Sequence, residues 1–273
     1  MGAKLIEASG LSKSFGGIHA LVSLDLSLGE GETLGLIGPN GAGKTTLFNL
    51  LAGADRADSG RILFRGHDIT RYGPEKRARL GLARSFQSGR CFANLSVEDN
   101  LLLGAHVGRM AARAGLLGGA GELAQAFLPI GAFGREEAGL HLRARAIAEG
   151  FGARLAPRLG DPAYSLSYAN RRRLEIGRAL ASRPSLLLLD EPTAGMNPSE
   201  TSEMLDYLKG LKASGLAMVI IEHKLPLVMM ISDRVVVMDE GEKIAEGGPD
   251  EVARNPRVIE AYLGASRPTG GAA

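Results

Sequence analysis

The sequence predicts an α/β domain with a largely parallel sheet, and three observations point there. Short apolar runs ending in glycine or polar loops alternate with stretches of helical period. The apolar runs, such as 216–221 and 235–238, are short and rich in β-branched residues, as strands buried on both faces of a sheet are. Between about Gly104 and Asp161 the pattern gives way to alanine, glycine and arginine, which predicts a helical insertion.

Length and composition bound the answer. A chain of 273 residues with 45% hydrophobic side chains is long enough for one large domain with an ordinary core. With 32 basic against 30 acidic side chains, the formal net charge of +2 gives no global reason to expect nucleic acid as a partner. Cys91 is the one cysteine, so an internal disulfide is excluded and a reducing, cytoplasmic setting is favoured. The start, Met1-Gly2-Ala3-Lys4-Leu5, lacks the pattern of a secretory signal. No window reaches the roughly 18 apolar residues needed to span a bilayer, so the chain is expected not to cross a membrane itself.

The first clear buried strand is Leu34-Gly35-Leu36-Ile37, followed by Gly38 to Thr46 and then by Leu47, Phe48, Leu50 and Leu51 at the spacing of a helix packed on that strand. Within the insertion, 135–149 carries several arginines and reads as an amphipathic helix or as an exposed helical face without a partner. The helix after Ser167 should carry Leu174 and Ala181 on one face. A second strand, Leu186 to Leu189, runs into Asp190-Glu191. Asn197-Pro198-Ser199-Glu200 then supplies a helix cap, a proline at the first helical position and the acid of a capping box. That helix should turn Met204, Leu205, Leu208 and Leu211 inward and stop at Gly215. The segment 264–273 is small, polar and glycine-rich and reads as a loose tail.

The strongest chemical signal is Gly38-Pro39-Asn40-Gly41-Ala42-Gly43-Lys44-Thr45-Thr46, which fits the phosphate-loop pattern between a strand and a helix. Glycines let backbone N–H groups turn inward around the negative charges of a triphosphate without side-chain clashes. Lys44 offers a point charge to the outer phosphates, and the Thr45 hydroxyl is a ligand for Mg2+. Asp190, at the carboxyl end of the second strand, suits a Mg2+ ligand. Glu191, one residue on and pointing differently, suits the group that orients or deprotonates the attacking water. An acidic helix cap is the simpler reading of the pair taken alone.

The order of these and later motifs resembles the ABC ATPase superfamily from about Leu5 to Gly264. Ser85-Phe86-Gln87 looks like the family's glutamine loop, Leu166-Ser167-Tyr168-Ala169-Asn170 like its signature, and Ile220-Ile221-Glu222-His223 like its histidine switch. The resemblance implies a P-loop NTPase fold over residues 1–264, with an antiparallel β region near the amino terminus and a helical subdomain within about 90–183. It implies ATP and Mg2+ as cofactors, Gln87 contacting Mg2+ and the attacking water, His223 reaching the γ-phosphate, and Phe15 stacking on adenine. Ser167 and Ala169 would face a nucleotide through the helix start that follows. The family pattern is Leu-Ser-Gly-Gly-Gln, so Ala169 stands where glycine is usual, and its methyl would crowd a phosphate or restrict a positive φ.

The same resemblance implies a partnership. One phosphate loop and one signature per chain imply a dimer, a homodimer or a paralogous heterodimer, with two composite sites. Within the superfamily the chain is most similar to the ATP-binding proteins of branched-chain amino acid importers, through 172–176, 194–198, 221–225, 231–234 and the ending Asn255-Pro256 to Gly264. That implies transmembrane permease subunits, indirectly a solute-binding protein, and a peripheral position on the cytoplasmic face of the inner membrane. A lipopolysaccharide-export ATPase is the rival with a similar ending, though shorter between glutamine loop and signature. A translation factor would carry two cassettes, and a DNA-repair ATPase a long coiled coil whose heptads are missing.

Overall fold

A computed structural model describes residues 4–85, 91–117 and 130–264. The chain divides into two compact units, one from Met1–Pro74 and Leu208–Ala273, the other from Glu75–Tyr207.

The first unit opens with β1 (Lys4–Phe15) and β2 (Ile18–Gly29), an antiparallel hairpin turned by Gly16 at φ 59°. Leu5, Ile6, Ala8 and Leu11 of β1 and Leu21, Leu24, Leu26 and Leu28 of β2 are buried. Their register shifts four times along the pair, so a strict two-residue alternation is not sustained. Next comes β3 (Thr33–Ile37), buried at every position, and α1 (Lys44–Ala52), which buries Leu47, Phe48, Leu50 and Leu51 as their spacing predicts. β4 (Ser59–Phe64) pairs antiparallel with β1, and β5 (His67–Asp68) with β4, completing the expected antiparallel region. α2 (Pro74–Arg79) then leads into the second unit.

In the second unit β6 (Leu82–Arg84) runs parallel to β7 (Leu186–Asp190). Between them lie α3 (Val97–Leu117), α4 (Ile130–Gly150), three single 3-10 turns and α5 (Tyr168–Ala181), the helices packing on one another. Glycine sets the closeness of that packing. A Cβ at Gly104 or Gly108 would stand 2.1 Å from the Arg178 carbonyl oxygen or 2.3 Å from that of Ser182. α4 starts at Ile130, five residues before the predicted 135–149 helix. It buries small residues, Ala144 and Ala148, while Leu142 stays 69% exposed.

α6 (Pro198–Ala213) begins with the predicted box: the Glu200 N–H donates to Asn197 Oδ1 at 2.9 Å and the Asn197 N–H to Glu200 Oε2 at 3.2 Å. Met204, Leu205 and Leu208 are buried, Leu211 is only half-buried, and the turn after the helix places Gly215 at φ 82°.

The chain then adds β8 (Ala217–Ile221), α7 (Leu225–Ile231), β9 (Arg234–Asp239), β10 (Glu242–Gly247), α8 (Pro249–Ala253) and α9 (Pro256–Gly264) to the first unit. β3 lies between β8 and β9, parallel to both, and β10 pairs antiparallel with β9. α7 sits so close to β3 that a Cβ on Gly35 would be 2.3 Å from Val228 Cγ1. Ile37, at the end of β3, packs in a valine-rich cluster with Val228, Val235, Val237, Val252 and Val258, against which Tyr262 of α9 rests. Among the described residues no helix is long and apolar enough to cross a membrane.

Candidate active site

In the first unit the loop after β3 is shaped by its glycines. Gly38, at φ 150°, could carry no side chain, because a Cβ would meet the Met238 carbonyl oxygen at 2.1 Å. Gly41, at φ 84°, has open space where a Cβ would stand, and Gly43, at φ 94°, caps α1 with room for none. The chain therefore turns back over the start of α1, where first-turn N–H groups and the helix dipole favour negative charge. Lys44 is 6% exposed, and its Nζ donates to the carbonyl oxygens of Gly38 and Pro39, both at 2.7 Å. This bridge holds the ammonium on the loop. Thr45 is exposed and Thr46 half-buried; Ala42 is buried and donates its N–H to the Pro39 carbonyl at 3.3 Å, while Asn40 faces solvent.

Two predicted residues of the same unit lie at strand ends. Phe15 closes β1 with about half its surface exposed, and Lys13 Nζ stands 5.3 Å from its ring centroid. His223 follows β8 and is exposed, its N–H donating to Glu222 Oε2 at 3.3 Å, whereas Glu222 is buried.

In the second unit the strand end at β7 is acidic and heavily constrained. Asp190 is fully buried; Oδ2 accepts from Arg84 Nη2 at 3.2 Å, and Oδ1 has no hydrogen-bond partner among the described residues. Its N–H donates to Ser85 Oγ at 3.4 Å. Burial pushes the Asp190 carboxyl above the ordinary carboxylate range, and the Arg84 guanidinium opposes that shift. A buried carboxylate with an unmet oxygen fits a cation ligand. Among the described residues no group of three or more His, Cys, Asp or Glu could hold a metal ion. Glu191 has φ 49°, a left-handed conformation costly for a residue with a Cβ.

The signature residues open α5. Ser167 is its N-cap, with Oγ accepting from the Asn170 N–H at 3.3 Å. Ala169 lies in the helical first turn, not at a positive φ, and is 4% exposed. The predicted restriction of φ therefore falls away, since glycine's freedom is not needed at this position. Tyr168 is exposed and lies on Gly195, where a Cβ would stand 2.6 Å from the ring. Asn170 Oδ1 accepts from Arg173 Nη1 at 2.9 Å, and Arg173 also reaches Glu203 at 3.3 Å, tying the signature to α6. Gln87 lies outside the described residues.

Sequence reasoning missed Arg84 and Arg172. Arg84 ends a strand parallel to the acidic one, and that placement of opposite charges at two strand ends was the available signal. For Arg172 there was none, since it stands in a run of three arginines.

The profile of the ABC transporter family matches residues 21–194, and that of the branched-chain amino acid ATP-binding cassette transporter matches residues 242–267. The chain is 38% identical over 265 residues to the high-affinity branched-chain amino acid transport ATP-binding protein LivG of Salmonella typhimurium, covering 97% of this chain and 99% of LivG. It is 37% identical over 266 residues to the corresponding protein BraF of Pseudomonas aeruginosa, again covering 97% and 99%. Among solved structures, the ADP conformation of an ATP-binding cassette of an ABC transporter is similar with a TM-score of 0.77 and 30% identity, covering 96% of this chain and 99% of that one.

Proposed function

The chain belongs to the ABC transporter family, and from that premise we propose that it is the ATP-hydrolysing subunit of an importer for branched-chain amino acids. The observation that carries the solute class is the alignment with LivG and BraF over 97% of the chain, joined by the branched-chain profile at 242–267. None of the motifs described above would touch solute. Selectivity would reside in the permease subunits and a solute-binding protein.

In this reading the N–H groups of Gly38 to Thr46 and the Lys44 ammonium hold the phosphates, and Phe15 stacks on adenine. Thr45, Asp190 and Gln87 would hold Mg2+, which would offset the charge of the phosphates. The exposure of Thr45 and the unmet Oδ1 of Asp190 support the first two assignments. Glu191 orients the attacking water and takes up its proton as the water oxygen bonds to the γ-phosphorus and the β–γ bridging bond breaks, leaving ADP and phosphate. His223 and Gln87 contact the γ-phosphate and the water. Ser167 and the first turn of α5, with Ala169 within it, present N–H groups to a nucleotide bound by a second ATP-binding subunit. Nucleotide then favours the closed pair, and loss of the γ-phosphate releases it. The working complex is two such subunits, identical or paralogous, beneath transmembrane permeases at the cytoplasmic face of the inner membrane.

The test is to purify the chain with its membrane partners and measure ATP hydrolysis while a binding protein presents different solutes. Leucine, isoleucine or valine should raise turnover. Stimulation by lipopolysaccharide with no response to these amino acids would replace the import reading with the export one.

A further inference from the structure

We propose that Arg172 is the positioning residue for the Glu191 carboxylate, bracing the turn after β7 from the signature helix of the same subunit. The inference rests on the reading of Glu191 as the residue that meets the attacking water.

The three consecutive arginines have different fates. Arg171 holds the carbonyls of Leu166 and Tyr164 near the surface, at 2.9 and 3.0 Å. Arg173 joins the carboxylates of α6. Arg172 is 3% exposed and turns toward β7. Its Nη1 donates to the equally buried Glu175 at 2.9 Å, which balances the charge. Its other edge takes the backbone: Nη2 donates to the Asp190 carbonyl, and Nε and Nη2 donate to the Glu191 carbonyl at 3.3 and 3.2 Å.

That edge explains the conformation of Glu191. In an extended strand successive carbonyls point to opposite sides, so one planar group cannot take two neighbours. The orientation of the Asp190 carbonyl relative to that of Glu191 is set by φ and ψ of Glu191, and a left-handed φ of 49° brings both to one side. The same φ fixes the direction in which the Glu191 side chain leaves the backbone. A non-glycine residue keeps such a conformation only where its surroundings over-determine it, and here the Arg172 fork acts together with the Ala194 N–H, which donates to the same Glu191 carbonyl at 3.1 Å. Without the fork the turn keeps only the local bond on that carbonyl, and the Glu191 carboxylate would shift from its place. Displacements of about 1 Å at a reacting group cost on the order of 100-fold in rate.

Because removing Arg172 alone would strand the buried Glu175 charge, the test uses the neutral pair R172Q/E175Q and, separately, Arg172→Lys, which keeps the charge and removes the fork. Each is made in the full chain and assayed for fold by thermal melting, for ATP affinity, and for turnover with ATP and magnesium. The expected result is a turnover about 10–100-fold lower for the neutral pair and several-fold lower for Arg172→Lys, with ATP affinity within about twofold of the parent. Combined with Glu191→Gln, either change should lower the residual rate by less than about twofold, since the residue it acts through is gone. A folded neutral pair with parental turnover overturns the proposal, and so does a loss of equal size in the Glu191→Gln background. If the neutral pair does not fold, parental turnover of Arg172→Lys overturns it. Parental turnover of Glu191→Gln alone would instead overturn the reading of Glu191, and this proposal with it.

Discussion

Replacing Lys44 by alanine tests the phosphate loop with a magnitude that follows from its contacts. The ammonium donates to two carbonyls at 2.7 Å and is almost fully buried. A phosphate must draw it from those carbonyls into a charge-assisted bond worth about 1.5–3 kcal/mol net. Since each 1.4 kcal/mol is about a factor of ten, Lys44→Ala should weaken ATP binding about 10–150-fold. Thermal melting with added ATP reads this directly. At ATP about 100-fold above its Kd the parent gains about 2.7 kcal/mol, whereas a variant weakened 100-fold gains only about 0.4 kcal/mol at the same concentration. A substantial upward shift should thus nearly vanish. A variant that folds and shows the full ATP-induced shift would refute the assignment of Gly38 to Thr46.

Two further outcomes follow from the same contacts. Gly43→Ala forces a Cβ to within 2.4 Å of the Ala20 carbonyl at φ 94°, so it should destabilise the chain by about 2–4 kcal/mol in urea unfolding; an unchanged midpoint would contradict the described loop. Burial pushes the Cys91 thiol up to about 11, so at pH 8 its alkylation should be about 100-fold slower than that of an exposed cysteine and should quicken with rising pH, whereas rapid labelling of the folded chain would show the site to be open.

Legibility in the sequence tracked how local the determining physics is. The phosphate loop, the buried strand into Asp190 and the Asn197–Glu200 box depend on neighbours within a few residues, and the structure has each where the sequence places it. The amino-terminal hairpin was harder to trace because its register shifts break the alternation that marks a strand. The predicted helix 135–149 falls inside α4, whose buried positions Ala144 and Ala148 are small and give only a weak helical period from which to place its ends. Around Asp190 and Glu191 the decisive groups come from far along the chain: Arg84 is 106 residues away and Arg172 is 18 from the carbonyl it holds. A run of three arginines reads as a solvated surface, and only tertiary packing separates the buried members from the exposed one. Ala169 was a different case, since the departure was visible but its meaning depended on a helical φ.

The proposed ATPase, with Glu191 as its catalytic carboxylate and a pair of chains as its working unit, is tested most directly by the state of the purified Glu191→Gln protein in ATP and magnesium. Light scattering with a count of bound nucleotide gives the answer in one sample. The expected result is a dimer that retains ATP and turns over negligibly, while the parent returns to monomers as it hydrolyses. A variant that stays monomeric and hydrolyses ATP at the parental rate would contradict it.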